Sequence, residues 1–312
     1  MSESPSRASA KLSAWLASDA RGVAITGASG WVGRAMVHAA LEAGCRHLRL
    51  FGSRAGSVAV ANQTLRLEPL HNEASLGAGE WIVVHLAVAG ADRFPELEER
   101  RLANDAMMAS ALALAETGKI RRLVSASSGA VYARAQADAD RQAYNELKRR
   151  QEEVVQAWAA HAGVPLLIPR IFNLGGPYMN HAQRYALGGM IQQARGDGVI
   201  RIQARRPVLR SYVHVLEFAR LTFELALNTT APLTFDTAGA QTVEMADLAL
   251  AVGRALGMAG LEIQRPALEH EETDLYVGDG RLYHAALGGE PLGLDAIIRD
   301  TAAWLNGGLA GG

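Results

Sequence analysis

The chain has one cysteine, three lysines and almost no net charge, and each scarcity removes a class of protein. Cys45 is alone among 312 residues, so no disulfide can form within the chain, and a reducing, cytoplasmic setting is expected. Acidic and basic residues balance to a formal net charge of −1. The pI is near 6.8. That balance gives no electrostatic case for nucleic acid or an anionic membrane. The longest apolar run, residues 81–91, is too short to cross a bilayer and contains His85. The first residues lack the basic start and apolar core of a signal peptide. Residues 2–10 are expected to form a frayed tail and 11–20 a short amphipathic helix. There are no repeats and no low-complexity tracts. Of 31 basic residues only Lys11, Lys119 and Lys148 are lysine. Lys148 is followed at once by Arg149 and Arg150. A lysine there suits a task needing a compact ammonium, which arginine's planar fork does not imitate.

What the chain does contain is an alternation of strand-length apolar runs and helical patterns. Strands are predicted over 21–26, 46–51, 81–87, 121–127 and 164–171. Helices are predicted over 31–44, 95–117 and 143–162, closed by Gly44, Gly118 and Gly163. Such alternation predicts an α/β fold: a doubly wound, Rossmann-type parallel sheet covered on both faces. After Asn173 the texture changes to a loop, then helices alternating with short strands at 199–203 and 233–235. Helices are expected over 244–256 and 292–305. The reading is a tail and short helix over 1–20, a dinucleotide-binding domain over 21–172, and a smaller C-terminal α/β substrate lobe over 173–312. Some of its segments are expected to return to the core.

Two motifs carry chemistry. Gly27, Gly30 and Gly33 are spaced by three after a strand and before a helix. Glycine lets the backbone turn sharply and lets a pyrophosphate approach the helix N-terminus, where free N–H groups and the dipole favour anions. Tyr144 and Lys148 are four apart on a predicted helix and so share one face. Carbonyl reduction needs a proton at oxygen as hydride reaches carbon. An ammonium one turn from a tyrosine stabilises its phenolate and lowers a pKa that is ordinarily about 10. The run 124–132, Val-Ser-Ala-Ser-Ser-Gly-Ala-Val-Tyr, supplies hydroxyls for the substrate oxygen. At the end of the second strand, Phe51-Gly52-Ser53-Arg54 lacks the acid that would bind an adenosine ribose. Ser53 and Arg54 suit a 2′-phosphate, which favours NADP, with NAD as the alternative.

With these residues in view, the sequence resembles the extended short-chain dehydrogenase/reductase family, which includes NAD-dependent nucleotide-sugar epimerases, dehydratases and ketoreductases. The matching pieces are ITGASGWVG, VVHLA at 83–87, Asn104 in RLANDAM, SASSGAVY, YNELK, PRIFNLGGP at 169–177 and LRSYVHV at 209–215. The resemblance implies a catalytic set of Ser128, Tyr144 and Lys148. It implies dinucleotide contacts from Gly27, Ser29, Gly30, Trp31, Val32, Gly33, Leu86 and Ala87, with His85 in the same stretch, and from Asn104, Tyr144 and Lys148. Asn104 matches an asparagine that supports the active site through a buried hydrogen bond. Asn173 and Arg210, with Ser128, match residues that contact a nucleotide-diphospho-sugar; the guanidinium suits bidentate phosphate binding. No metal ligand set is present. A homodimer through the alanine-rich helices 95–117 and 143–162 is implied as well.

Departures from the family pattern narrow the reaction. Family 4,6-dehydratases follow the catalytic hydroxyl with Asp-Glu, whereas Ser128 is followed by Gly129-Ala130, which transfer no protons. The loop between Tyr132 and Tyr144 is short and lacks the usual prolines. Glu68-Pro-Leu-His-Asn72 lacks the aspartate that contacts adenine, which leaves adenine binding unassigned. Neither Cys45 nor His181 supplies an acid/base pair for epimerisation by deprotonation. The expected activity is NADP-dependent reduction of a nucleotide-activated 4-keto sugar, in deoxysugar or surface polysaccharide synthesis. The alternatives are a 4-epimerase with retained NAD, a reductase of a non-nucleotide ketone or aldehyde, and a non-catalytic dinucleotide sensor.

Overall fold

The structure is a computed structural model that describes residues 7–71, 73–132 and 139–307. Two compact units are present: Met1–Arg170 with Ala219–Phe235, and Ile171–Phe218 with Asp236–Gly312. The first unit opens with α1 (Arg7–Leu16), β1 (Arg21–Thr26), α2 (Trp31–Glu42), β2 (His47–Gly52), β3 (Gly56–Val60) and β4 (Gln63–Pro69). It continues with β5 (Glu80–His85), α3 (Leu97–Glu116), β6 (Lys119–Ser125), β7 (Ser127–Ser128), α4 (Ala139–Ala162) and β8 (Leu166–Ile171). The second unit contributes β9 (Asn173–Gly175), α5 (Ala186–Gly196), β10 (Val199–Arg201) and β11 (Val208–His214). Helix α6 (Val215–Asn228) and β12 (Leu233–Asp236) carry the residues that rejoin the first unit. Then follow β13 (Thr242–Glu244), α7 (Met245–Ala255), β14 (Glu262–Gln264), β15 (Asp274–Tyr276), α8 (Arg281–Leu287) and α9 (Leu294–Gly307).

In the first unit the strand order among the described residues is β12-β8-β6-β5-β1-β2-β4-β3, with β7 beside β8. Strands β1, β2, β5, β6 and β8 run parallel, as the unbroken apolar runs required. Val23, Ile25, Val83, Val84, Val124 and Leu167 are fully buried, which identifies a sheet covered on both faces. Each such side chain contributes roughly 1.5–3 kcal/mol of burial. The parallel register brings Thr26 level with His85, and His85 level with Ser125, so the C-terminal ends of three strands lie side by side. In an open α/β sheet that edge is where ligands bind.

Two expectations need correction. The N-terminal helix is Arg7–Leu16, not 11–20, and residues 17–20 form a turn; the expected tail at 2–10 is therefore helical from Arg7. Leu12 and Leu16, one turn apart, are both buried and fix that register. Residues 2–6 lie outside the described residues, as do Asn72 and the 133–138 part of the short loop before Tyr144. The sequence reading also passed over the β3–β4 hairpin. Its two turn residues, Ala61 and Asn62, both have positive φ (48° and 62°), the requirement of a type I′ turn. Alanine seldom adopts that conformation, so the turn carried no Asn-Gly signal.

In the second unit β11 is the organising strand. It pairs parallel with β9 and β15 and antiparallel with β13. Helices α5, α7 and α9 pack against one another, and Leu187, Ile191, Leu248, Val252 and Ile298 on them are fully buried.

Candidate functional site

The glycine loop leaves β1 at Thr26 and enters α2 at Trp31. Gly27 has φ +72°, and a Cβ there would lie 2.7 Å from the Ala87 backbone nitrogen. A Cβ on Gly33 would collide with the Gly27 carbonyl and the Ala28 backbone. So two of the three glycines are fixed by close approach of backbone to backbone. Gly27 N–H and Ala28 N–H both donate to the Phe51 carbonyl, at 2.9 and 3.3 Å, which holds the loop against β2. Gly30 is the N-cap of α2, has no side-chain cap, and the first turn carries no acid. The N–H groups opening α2 thus keep their dipole unopposed, a suitable seat for a pyrophosphate. Ser29 is exposed, Trp31 buried and Val32 half-buried. Leu86 N–H donates to Thr26 O at 3.2 Å and, with Ala87, walls the loop on the β5 side. Ser53 and Arg54 are exposed just beyond β2. This cradle fits a dinucleotide.

Lys148 and Tyr144 meet as their spacing predicts. Lys148 Nζ is 5.9 Å from the centre of the Tyr144 ring. Tyr144 is 39% exposed, while Lys148 is only 7% exposed. Nζ donates to the Ala126 carbonyl at 3.3 Å and to Gln151 Oε1 at 3.0 Å. Burial lowers the Lys148 pKa from 10.5 to about 8, with the Glu152 carboxylate opposing the shift. Ser128 is buried, and its Oγ accepts from the Ala130 N–H at 3.2 Å, which orients the hydroxyl. His85 is buried, with Nδ1 and Thr26 Oγ1 2.8 Å apart. Burial first, then the Lys148 charge, lowers the His85 pKa to about 3, so the ring stays neutral.

Asn104 is fully buried and its side chain bridges backbone groups. Oδ1 accepts from Ala89 N–H at 3.0 Å; Nδ2 donates to Ala89 O at 3.1 Å and Arg100 O at 2.7 Å. It pins the loop after β5 to α3. That loop, with Tyr144, Leu147 and Arg150, lines a cavity of about 710 Å³.

In the second unit, Asn173 Nδ2 donates to the carbonyls of Ser211 and Tyr276 at 3.2 and 3.3 Å. Arg210 is engaged within its own sheet. Its Nη1 donates to Leu209 O, Asp274 O and Asp274 Oδ1 at 2.9, 2.8 and 3.1 Å, and its Nη2 to Asp274 Oδ2 at 3.1 Å.

Sequence reasoning missed the groups behind Lys148. Glu152 is buried and takes two hydrogen bonds from Arg170, at 2.9 and 2.7 Å. Burial pushes its carboxyl up, but hydrogen bonds from Arg170 and Ser127 and the charges of Arg170 and Lys148 together hold it below the usual range. Arg170 Nη1 also donates to Tyr132 Oη at 2.6 Å. Gln151 and Glu152 stand three and four residues beyond Lys148, so helical spacing was a usable signal. Arg170 and Tyr132 come from other segments and left none.

Over residues 23–234 the sequence matches the model of the NAD dependent epimerase/dehydratase family. Similar solved structures include the NAD-dependent NDP-hexosamine 5,6-dehydratase TunA of tunicamycin biosynthesis. It shares 19% identity over 92% of this chain and 98% of that one, with a TM-score of 0.73. The UDP-N-acetylglucosamine 4-epimerase of Methanobrevibacter ruminantium M1 shares 16% identity over 91% and 98%, TM-score 0.73. The UDP-glucose 4-epimerase of Thermotoga maritima shares 17% over 92% and 99%, TM-score 0.72. No curated protein sequence gives a significant match. A family match across most of the chain, on a largely parallel sheet, places the protein in the NAD-dependent epimerase/dehydratase family, as an enzyme of the extended short-chain dehydrogenase/reductase type.

Proposed function

We propose that this protein reduces a nucleotide-activated 4-keto sugar with NADPH. The observation that carries the reading is the buried Lys148 ammonium beside the part-exposed Tyr144, with Gly129-Ala130 where a dehydratase needs an acid pair. A dinucleotide held by the glycine loop would supply the hydride. Tyr144 donates its phenolic proton to the substrate oxygen, and Lys148 stabilises the phenolate that results. Ser128 donates a hydrogen bond to the same oxygen. Gly129 and Ala130 carry no acid or base, so the chain provides for proton transfer at one oxygen and not for elimination. Exposed Ser53 and Arg54 suit the 2′-phosphate of NADP. Helices α3 and α4 form the face proposed for a homodimer.

Arg210 favours a second reading, reduction of a ketone or aldehyde that carries no nucleotide. Its guanidinium is neutralised by Asp274, and a diphosphate would have to displace that carboxylate. The discriminating experiment incubates the purified enzyme with NADPH and either a nucleotide-4-keto-sugar or simple carbonyl compounds, following cofactor absorbance and the sugar by mass spectrometry. Stoichiometric NADPH consumption with the nucleotide sugar supports the first reading. Consumption with simple carbonyls alone supports the second. Epimerisation of a nucleotide sugar without cofactor consumption sinks both.

A further inference from the structure

The hydrogen bonds of Lys148 go to neutral oxygens. Glu152, one turn further along α4, is bound through both oxygens by Arg170, and Nζ donates instead to Ala126 O and Gln151 Oε1. Gln151 is 7% exposed and lies seven residues beyond Tyr144, on the face that Tyr144 and Lys148 share. Chemistry fixes how its amide is turned. Reversed, it would set an N–H donor against an ammonium. In the orientation present, Nε2 is buried and meets no acceptor among the described residues. A buried donor without a partner works against folding. A glutamine serving only to fill space would do worse there than methionine, which has similar volume and no donor. The amide must therefore earn its place through its oxygen.

The geometry points to Gln151 as a positioning residue for the proton relay: a neutral acceptor that fixes the Lys148 ammonium beside Tyr144 without cancelling its charge. The inference rests on reading Tyr144 and Lys148 as the proton-handling pair. Neutrality is the point. A carboxylate at this position would form an ion pair and weaken the positive potential available to a phenolate. An apolar side chain would remove one of the two acceptors and let burial strip the ammonium of its proton. The other titratable groups around Lys148 are His85 from β5, held neutral, and Tyr144 and Glu152 from α4, with Glu152 answered by Arg170 of β8. The β6–β7 link contributes the Ala126 carbonyl and uncharged serines.

The test reads the ammonium directly. Full-length protein carrying [13Cε]lysine gives signals from Lys11, Lys119 and Lys148 alone. Lys148 is assigned by the signal lost in Lys148→Arg. The Cε shift is followed against pH in the wild type, Gln151→Met and Gln151→Glu. The wild-type midpoint is expected near 8. It should fall by about one unit or more in Gln151→Met and rise by about one unit or more in Gln151→Glu. The other two lysines should not move. Midpoints within about 0.2 unit of wild type in the folded variants overturn the proposal, as does a shift of either variant in the opposite direction. If only one variant folds, its midpoint decides. No substrate is needed, so this outcome is independent of the functional reading. Displaced midpoints in a protein that reduces no carbonyl compound sink the reductase and leave the role of Gln151 standing.

Discussion

The ammonium of Lys148, to which the proposed reaction gives a role, burdens the fold by being buried. Its pKa falls from 10.5 unfolded to about 8 folded, so between those values the unfolded chain binds more protons than the native one. Stability then rises with pH across that window, by on the order of 3 kcal/mol in total, and the burden is fully present below about pH 8. Lys148→Met should therefore abolish turnover yet be more stable than wild type at pH 7. The gap should close as pH approaches 10, as measured by urea unfolding of both proteins at stepped pH. Tyr144→Phe removes the proton donor and leaves the ring. It should lower turnover roughly 10²–10⁴-fold with dinucleotide affinity retained, read from steady-state rates and cofactor titration. These two residues were legible in the sequence because helical spacing alone puts them together. Glu152's partner Arg170 was not, since nothing in a sequence measures the approach of a strand to a helix.

At the scale of elements, the joint between β6 and α6 turns on an arginine inside an apolar run. Arg122 is 1% exposed and has no carboxylate partner among the described residues; burial lowers its pKa to about 10. Its donors reach the carbonyls of Ala226, Leu166 and Ala231 and the Thr229 hydroxyl, at 3.0 to 3.3 Å. Arg121 adds a bond to Leu227 O at 3.3 Å. Carbonyls at a helix C-terminus lack intrahelical donors and carry the negative end of its dipole, so a fixed cation satisfies both needs. Arg122→Met should cost about 3 kcal/mol, seen as a lower urea midpoint, and Arg122→Lys should recover only part, because an ammonium cannot span four acceptors. The sequence showed an apolar run of strand length here and gave no reason for the arginine within it. The β3–β4 hairpin was hidden for a related reason: its turn is imposed on Ala61 and Asn62 by the strand pairing rather than announced by glycine.

For the molecule as a whole, the open questions are which dinucleotide it takes and whether it pairs. Arg54→Ala should weaken NADP roughly 10–100-fold while leaving NAD affinity within about twofold, measured by fluorescence titration. Equal losses for both dinucleotides would remove Arg54 from the 2′-phosphate site. On α3 and α4, Leu102 and Val154 are 53% and 41% exposed and available to the proposed homodimer contact. Native mass spectrometry should find a dimer of 33.2 kDa chains, and Leu102→Glu should convert it to monomer.

The sequence by itself determined the main alternation of strands and helices in the first unit, the glycine loop, and the Tyr144–Lys148 face. These follow from strand-length apolar runs, from 3.6-residue helical patterning and from glycine's freedom at Gly27, all local physics. Tertiary structure alone decided what surrounds Lys148: a neutral amide as acceptor, a carboxylate answered by Arg170, and a neutral His85 at the end of β5. It also decided that Arg210 faces Asp274. Desolvation and ion pairing depend on which groups the fold brings within a few ångströms, and that distance is not written in the order of residues along the chain.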